Sequence, residues 1–151
     1  MEQSAAPSGF TFSYRFRVRW AEVDRQGVVF NPHYFAYADL GCTEYFRAIG
    51  FPYPEGLESL GCDLYAVSAQ GNFRGSARYD DELELAYRTA LLGRTSVRFE
   101  TRIDRGDALL FEGALVYVCV DLRSRAPAAL PAELVECICA FERTPPGRKI
   151  G

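Results

Sequence analysis

The segment Trp20-Ala21-Glu22-Val23-Asp24-Arg25-Gln26-Gly27-Val28-Val29-Phe30-Asn31-Pro32-His33-Tyr34 gathers the residue types that suit chemistry. Asp24 stands at the mouth of a loop that runs straight into a predicted helix start. Such a start presents unpaired backbone N–H groups and the positive end of the helix dipole. Aimed at a carbonyl, these groups stabilise the oxyanion that forms when the carbonyl is attacked. A carboxylate aimed at the same carbon, or at a water beside it, is a nucleophile or a general base. A thiol, with a pKa of about 8.5, leaves as thiolate without a strong general acid. One carboxylate without a histidine partner therefore suffices for a thioester and would serve an amide poorly. The same spacing also suits a plain type I turn, which prefers Asp first and Gly fourth. Both readings stand at this level.

The elements around this segment must hold it in place. Residues 12–20 alternate, with Phe12, Tyr14, Phe16, Val18 and Trp20 on one face, and predict a half-buried strand. Asn31 is a good N-cap and Pro32 sits where the first helical position prefers it. From His33 to Ile49 apolar residues recur at helical spacing, and Gly50 and Pro52 supply the stop. At roughly 1.5 Å per residue this rod is about 25 Å long, enough to cross a sheet. Its wide aromatic stripe predicts a central buried helix.

Four strands are predicted next, at residues 64–74, 83–92, 95–103 and 108–120, the last apolar on both faces and so central. Residues 133–141 read as a short terminal helix. The fold class is α+β, an antiparallel five-stranded sheet wrapped around one long helix. One domain spans residues 11–142, with a disordered N-terminus at 1–10 and a mobile tail at 143–151. An apolar outer sheet face would need a partner subunit, so a homodimer or larger assembly is expected.

Composition narrows the function. A chain of 151 residues fits one domain with a real core. Eleven Phe and nine Tyr argue for a filled core or an apolar cavity. A net charge of −3 disfavours nucleic acid as partner. All but one of the seventeen basic residues are Arg, which binds phosphate through a planar fork. No apolar run approaches the roughly 18 residues of a membrane span. The first ten residues show no secretory signal, so a cytoplasmic location is expected. The five cysteines fit neither a disulfide framework nor a zinc site and read as buried, reduced thiols. No metal is expected.

Asp24, Gly27, Val28, Val29, Phe30 and Tyr34 stand as in the signature of the 4-hydroxybenzoyl-CoA thioesterase family of hotdog-fold proteins, which this segment resembles. Ala77-Arg78-Tyr79-Asp80-Asp81-Glu82-Leu83 resembles that family's turn between its second and third strands. Cys119-Val120-Asp121, with Ala128-Ala129-Leu130-Pro131, resembles its final strand and exit. The likeness runs over residues 12–141.

The resemblance implies a hotdog fold, assembly as a homodimer or homotetramer, and hydrolysis of a short-chain or aromatic acyl-CoA. Coenzyme A is then part of the substrate, and no separate cofactor is needed. Asp24 would be the catalytic carboxylate, and the backbone N–H of Asn31 would polarise the thioester carbonyl. Tyr34 would line the substrate site. Arg94 and Ser96 lie in a strand turn where the family's nucleotide contacts fall, with Arg123 and Arg125 as second choices. Many bacterial members carry His seven residues after the Asp. Here Asn31 stands there, and the single His is His33. A backbone donor does not depend on side-chain type, so this departure bears on acyl preference rather than on the chemistry.

His33 reads either as a neutral donor lining the site or as a half-buried helix residue. Asp39 and Glu44 are second carboxylates on the helix, or caps. Two rivals remain. A hotdog hydratase or dehydratase would pair a His with an acid, whereas Asp24 and His33 lie on different elements. A non-catalytic acyl-CoA-binding protein would have to keep a bare carboxylate beside the ligand, which is costly unless that Asp stays in water. A cysteine hydrolase is disfavoured because Cys42 lies over two helical turns from His33.

Overall fold

The computed structural model describes residues 6–149. The chain forms β1 (Phe12–Arg17), a short 3-10 turn (Trp20–Glu22), α1 (His33–Ala48) and a one-turn α2 (Glu55–Glu58). There follow β2 (Cys62–Phe73), β3 (Glu82–Leu92), β4 (Ser96–Arg105), β5 (Ala108–Asp121), α3 (Ala132–Phe141) and the two-residue β6 (Gly147–Arg148). The main path of the sheet is β1-β3-β4-β5-β2, antiparallel throughout, and β6 joins β3 in parallel. This is the expected α+β architecture, with α1 laid across one face.

The inner face is built by period-two alternation. Leu83, Leu85 and Tyr87 of β3, Val97, Phe99 and Ile103 of β4, and Phe111, Leu115 and Cys119 of β5 are buried there. Tyr34, Tyr37, Ala38, Gly41, Tyr45 and Phe46 of α1 meet them. Gly41 sets the depth of contact. A Cβ at this position would lie 2.4 Å from Leu85 Cδ2, so only glycine lets the helix sit this close to β3.

Several expectations change. The first strand stops at Arg17, and Trp20 enters a 3-10 turn with 73 % of its surface exposed. The turn redirects the chain over the sheet end, which takes Trp20 off the inner face. Residues 6–10 were expected to be disordered. Instead the Arg88 guanidinium donates to the Gly9 carbonyl and lies over the Phe10 ring, anchoring this segment to β3. The rest of the expected disordered stretch lies outside the described residues. The tail is likewise not loose over 147–149, because it pairs with Leu91 and Leu92 of β3. Cys139 is exposed and Cys42 and Cys137 half-buried, so only Cys62 and Cys119 match the expected burial by surface area.

The outer sheet face is charged over β1, β3 and β4 and largely apolar over β5, where Ala114, Val116, Val118 and Val120 share it half-buried. Arg15 pairs with Glu84, Arg88 with Glu100, Arg102 with Asp104 and Arg74 with Glu112. The apolar outer positions of β5 continue into Tyr65 of β2, which pairs with Val118. The open feature is β2, a 12-residue edge strand with Tyr65, Val67 and Phe73 exposed along it.

Candidate active site

Asp24 sits at the tip of a miniature hairpin. Its N–H donates to the Val28 carbonyl at 2.9 Å, and Gly27 N–H donates to the Asp24 carbonyl at 2.9 Å. Gly27 has φ +77°, a conformation that favours glycine. Asp24 Oδ1 accepts the Gln26 N–H at 2.7 Å, while Oδ2 accepts no hydrogen bond among the described residues. The turn reading of Asp24 thus describes its geometry, and it leaves one carboxylate oxygen unengaged.

The hairpin is pinned from behind. Val23 bridges Val29, Val28 bridges Arg78, and Val29 N–H donates to the Ala77 carbonyl at 2.8 Å. The Ala77 N–H donates in turn to the Tyr34 hydroxyl at 3.0 Å. Ala77 therefore ties the Asp24 hairpin and the first turn of α1 to the same point. Tyr34 is 1 % exposed, stacked on Phe111 with centroids 5.4 Å apart, and its hydroxyl oxygen accepts the Ala77 N–H. Tyr34, expected to line the substrate site, occupies a core position at the start of α1.

At the helix start the backbone donors fold inward. His33 N–H donates to the Phe30 carbonyl at 2.8 Å and Tyr34 N–H to the Asn31 carbonyl at 3.2 Å. Phe35 and Ala36 both donate to the Pro32 carbonyl. Pro32 has no N–H, and its φ of −60° already belongs to the helix. The Asn31 N–H has no acceptor among the described residues. It is the donor left over at the end of the Asp24 loop. The Asn31 side chain makes no capping bond, contrary to the expected cap.

His33 turns away from Asp24. Its ring packs edge-on to Phe30, and it lines a cavity of about 660 Å³ between β1 and α1 together with Phe16, Glu22, Tyr37 and Leu40. The structure does not bring His33 into hydrogen-bonding contact with Asp24. Arg94 and Ser96 are not brought there either. Residues 93–95 lie at the far end of β3, whose 11 residues, at roughly 3.3 Å each, span about 36 Å from the end near the hairpin. Arg94 is exposed and its carbonyl accepts the Leu130 N–H. Burial pushes the thiols of Cys42 and Cys119 up to about 12, so neither is a thiolate near neutral pH. Among the described residues no group of His, Cys, Asp and Glu is placed to hold a metal ion, and no helix is long and apolar enough to cross a membrane.

Glu22 and its partners Arg19 and Tyr37, near the site, are hard to find in the sequence. Glu22 is 5 % exposed and lies under the hairpin. Its carboxylate accepts the Arg19 N–H and Nε–H, each at 2.8 Å, and the Tyr37 hydroxyl at 2.8 Å, and Arg19 Nη2 pairs with it at 2.6 Å. Burial pushes this carboxyl up, but the hydrogen bonds from Arg19 and Tyr37 and the Arg19 charge outweigh it and hold it below the usual range. The only sequence signal is an Arg and a Glu three residues apart, beside a helix Tyr that reads as core.

The thioesterase superfamily matches residues 26–112 of the chain. An acyl-CoA thioester hydrolase, YbgC of Escherichia coli O6:H1, is 30% identical over 125 residues, covering 82% of this chain and 92% of that protein. The acyl-CoA thioesterase YbgC of Haemophilus influenzae is 27% identical, covering 82% and 90%. The solved structure of a 1,4-dihydroxy-2-naphthoyl-CoA thioesterase from Synechocystis superposes with a TM-score of 0.79 over 87% of this chain and 98% of that one, at 21% identity, and shares the fold. The chain belongs to the thioesterase superfamily and is a hotdog-fold thioester hydrolase.

Proposed function

We propose that the protein hydrolyses a short-chain or aromatic acyl-CoA, with Asp24 as its working carboxylate and the Asn31 N–H as the oxyanion donor. The observation that carries this reading is the pairing of an unengaged carboxylate oxygen on Asp24 with a leftover backbone donor at Asn31, on one pinned loop. Asp24 Oδ2 attacks the thioester carbon, or takes the proton of the water that does. The Asn31 N–H meets the negative charge that develops on the carbonyl oxygen. The C–S bond breaks and coenzyme A leaves as thiolate, which needs no strong acid. Where Asp24 itself attacks, water then cleaves the mixed anhydride, releasing the free acid and restoring the carboxylate. The two YbgC proteins, acyl-CoA thioesterases by name, support the substrate class.

The working unit in this reading is a homodimer paired along β2, whose exposed edge offers unpaired backbone groups. Antiparallel pairing there would carry the partner's strand ends past the hairpin end of this protomer. That is how Arg94 and Ser96 could serve coenzyme A despite their distance from Asp24 within one chain. A panel of aliphatic and aromatic acyl-CoAs, followed with a thiol reagent, tests the activity. Release of free thiol from at least one member is expected; no turnover across the panel overturns the reading.

A further inference from the structure

Glu22 is a buried carboxylate that the proposed chemistry does not use, and its contacts reach both halves of the site. Its backbone carbonyl accepts the Phe30 N–H at 3.0 Å, which fixes the residue immediately before Asn31. Its side chain accepts the Tyr37 hydroxyl, one helical turn beyond His33. Arg19 closes the 3-10 turn onto the same carboxylate through its own N–H and its guanidinium. Two residues after Glu22 the chain reaches Asp24. The arrangement ties the 3-10 turn that leads into the Asp24 hairpin to Phe30 and to α1, on either side of Asn31.

We propose that Glu22 is a positioning residue for thioester hydrolysis: with Tyr37 it holds the Asp24 hairpin at a fixed distance from the Asn31 N–H. This inference rests on the roles of Asp24 and Asn31 given above. Glu22 does not touch substrate in this scheme. Two features favour a positioning role over simple core filling. The carboxylate is matched by donors on the loop side and the helix side alike, so neutralising it disturbs their relative placement. A polar tie is also an unusual way to fill a core position, since an apolar side chain would fill it without needing partners. Misplacement of reacting groups by about 1 Å can cost roughly a hundredfold in rate.

Glu22→Gln keeps the size of the side chain but presents an amide N–H₂ where the carboxylate accepted a donor. Tyr37→Phe removes only the helix-side hydroxyl and leaves the Arg19–Glu22 turn intact. Both variants, with Asp24→Asn beside them, are assayed on benzoyl-CoA and butanoyl-CoA, and kcat is corrected for the folded fraction by circular dichroism. The expected result is a loss in kcat of at least about tenfold for Glu22→Gln and for Tyr37→Phe, with KM changed by less than about threefold. The double variant is expected to lose little more than the worse single one, because the two act as one tie.

A lower Tm with wild-type kcat in both single variants would overturn the proposal and leave Glu22 a structural residue. If Glu22→Gln fails to fold, Tyr37→Phe alone decides the matter by the same criterion. If Asp24→Asn is as active as wild type, or if neither substrate turns over, the catalytic scheme itself fails and the role of Glu22 falls with it. Loss in Asp24→Asn together with full kcat in the Glu22 and Tyr37 variants rejects only the positioning role.

Discussion

Helix α1 is gripped at two points by a tyrosine hydroxyl on a buried glutamate, and the two grips differ in kind. Near its start, Tyr37 donates to Glu22, which also holds the Arg19 guanidinium and N–H. Near its end, Tyr45 donates to Glu142 at 2.6 Å, and the same oxygen accepts the Thr89 N–H. Glu142 has no cation partner, and its Oε2 is buried without a hydrogen bond among the described residues. Burial and the neighbouring glutamate push the Tyr45 hydroxyl well above its ordinary value, as they do for Tyr37.

The first grip is charged, fully matched and next to Asp24. The second is short of partners and fastens the residue after α3 to the core. In the proposed scheme the Arg19–Glu22 ion pair fixes geometry at the site. A partly satisfied carboxylate far from it serves only to dock a helix. In this scheme the fold uses the same pair of residue types for two jobs, told apart by what else each glutamate holds.

The sharpest way to break this contrast is to neutralise both glutamates. Glu22→Gln is expected to lower kcat about tenfold or more, as argued above. Glu142→Gln is expected to leave kcat within about twofold, because its Oε1 contacts survive in the amide and no cation loses a partner. Equal losses of activity at the two positions would erase the difference.

Removing the second grip altogether should show in stability. Glu142→Ala leaves the buried Thr89 N–H without its acceptor, at a cost of about 1–3 kcal/mol. For a chain of this size that is about 2–10 °C in Tm, read by thermal unfolding, with kcat unchanged. A drop in kcat would mean that the far end of α1 also bears on the site.

Acid sharpens the contrast from the other side. The folded protein holds the Glu22 carboxyl below its ordinary value, so the unfolded chain takes up that proton first as pH falls. The stabilisation is present above the ordinary Glu value of about 4.3 and is lost as pH falls below it. The gap in Tm between wild type and Glu22→Gln should therefore shrink between neutral pH and pH about 3, whereas a gap that stays constant would show that the charge of Glu22 does not contribute.

The smallest expected effect concerns coenzyme A. Arg94→Ala should raise KM by about threefold with kcat unchanged, as for loss of uniform binding; unchanged KM would remove Arg94 from the substrate.

Much of this molecule is legible in its sequence because period-two and 3.6-residue patterns report burial directly. Strands β3, β4 and β5 fall within two residues of their expected ends, and α1 starts at His33 as expected. The errors lie where a single polar contact decides. Phe10 and Gly9 are held by Arg88, and Gly147 pairs beside Leu91, neither of which periodicity reveals. Trp20 alternates correctly but is carried off the sheet by a turn. At the candidate site, the turn at Asp24 is legible from Asp first and Gly fourth. The burial of Tyr34 is not legible, because it depends on Phe111 and Ala77, more than forty residues away in sequence. Glu22 was hidden for the same reason, since its partner Tyr37 sits in a stripe that reads as core.

The central claim is that Asp24 does chemistry rather than merely closing its turn. Asp24→Asn separates the two, since the Asn side-chain oxygen can still accept the Gln26 N–H that Oδ1 accepts now. On the acyl-CoA that wild type turns over fastest, the Asn variant is predicted to keep the wild-type Tm and lose at least about a hundredfold in kcat, as for loss of a nucleophile or base. An Asn variant with wild-type kcat would show that Asp24 is a turn residue and that hydrolysis is carried elsewhere.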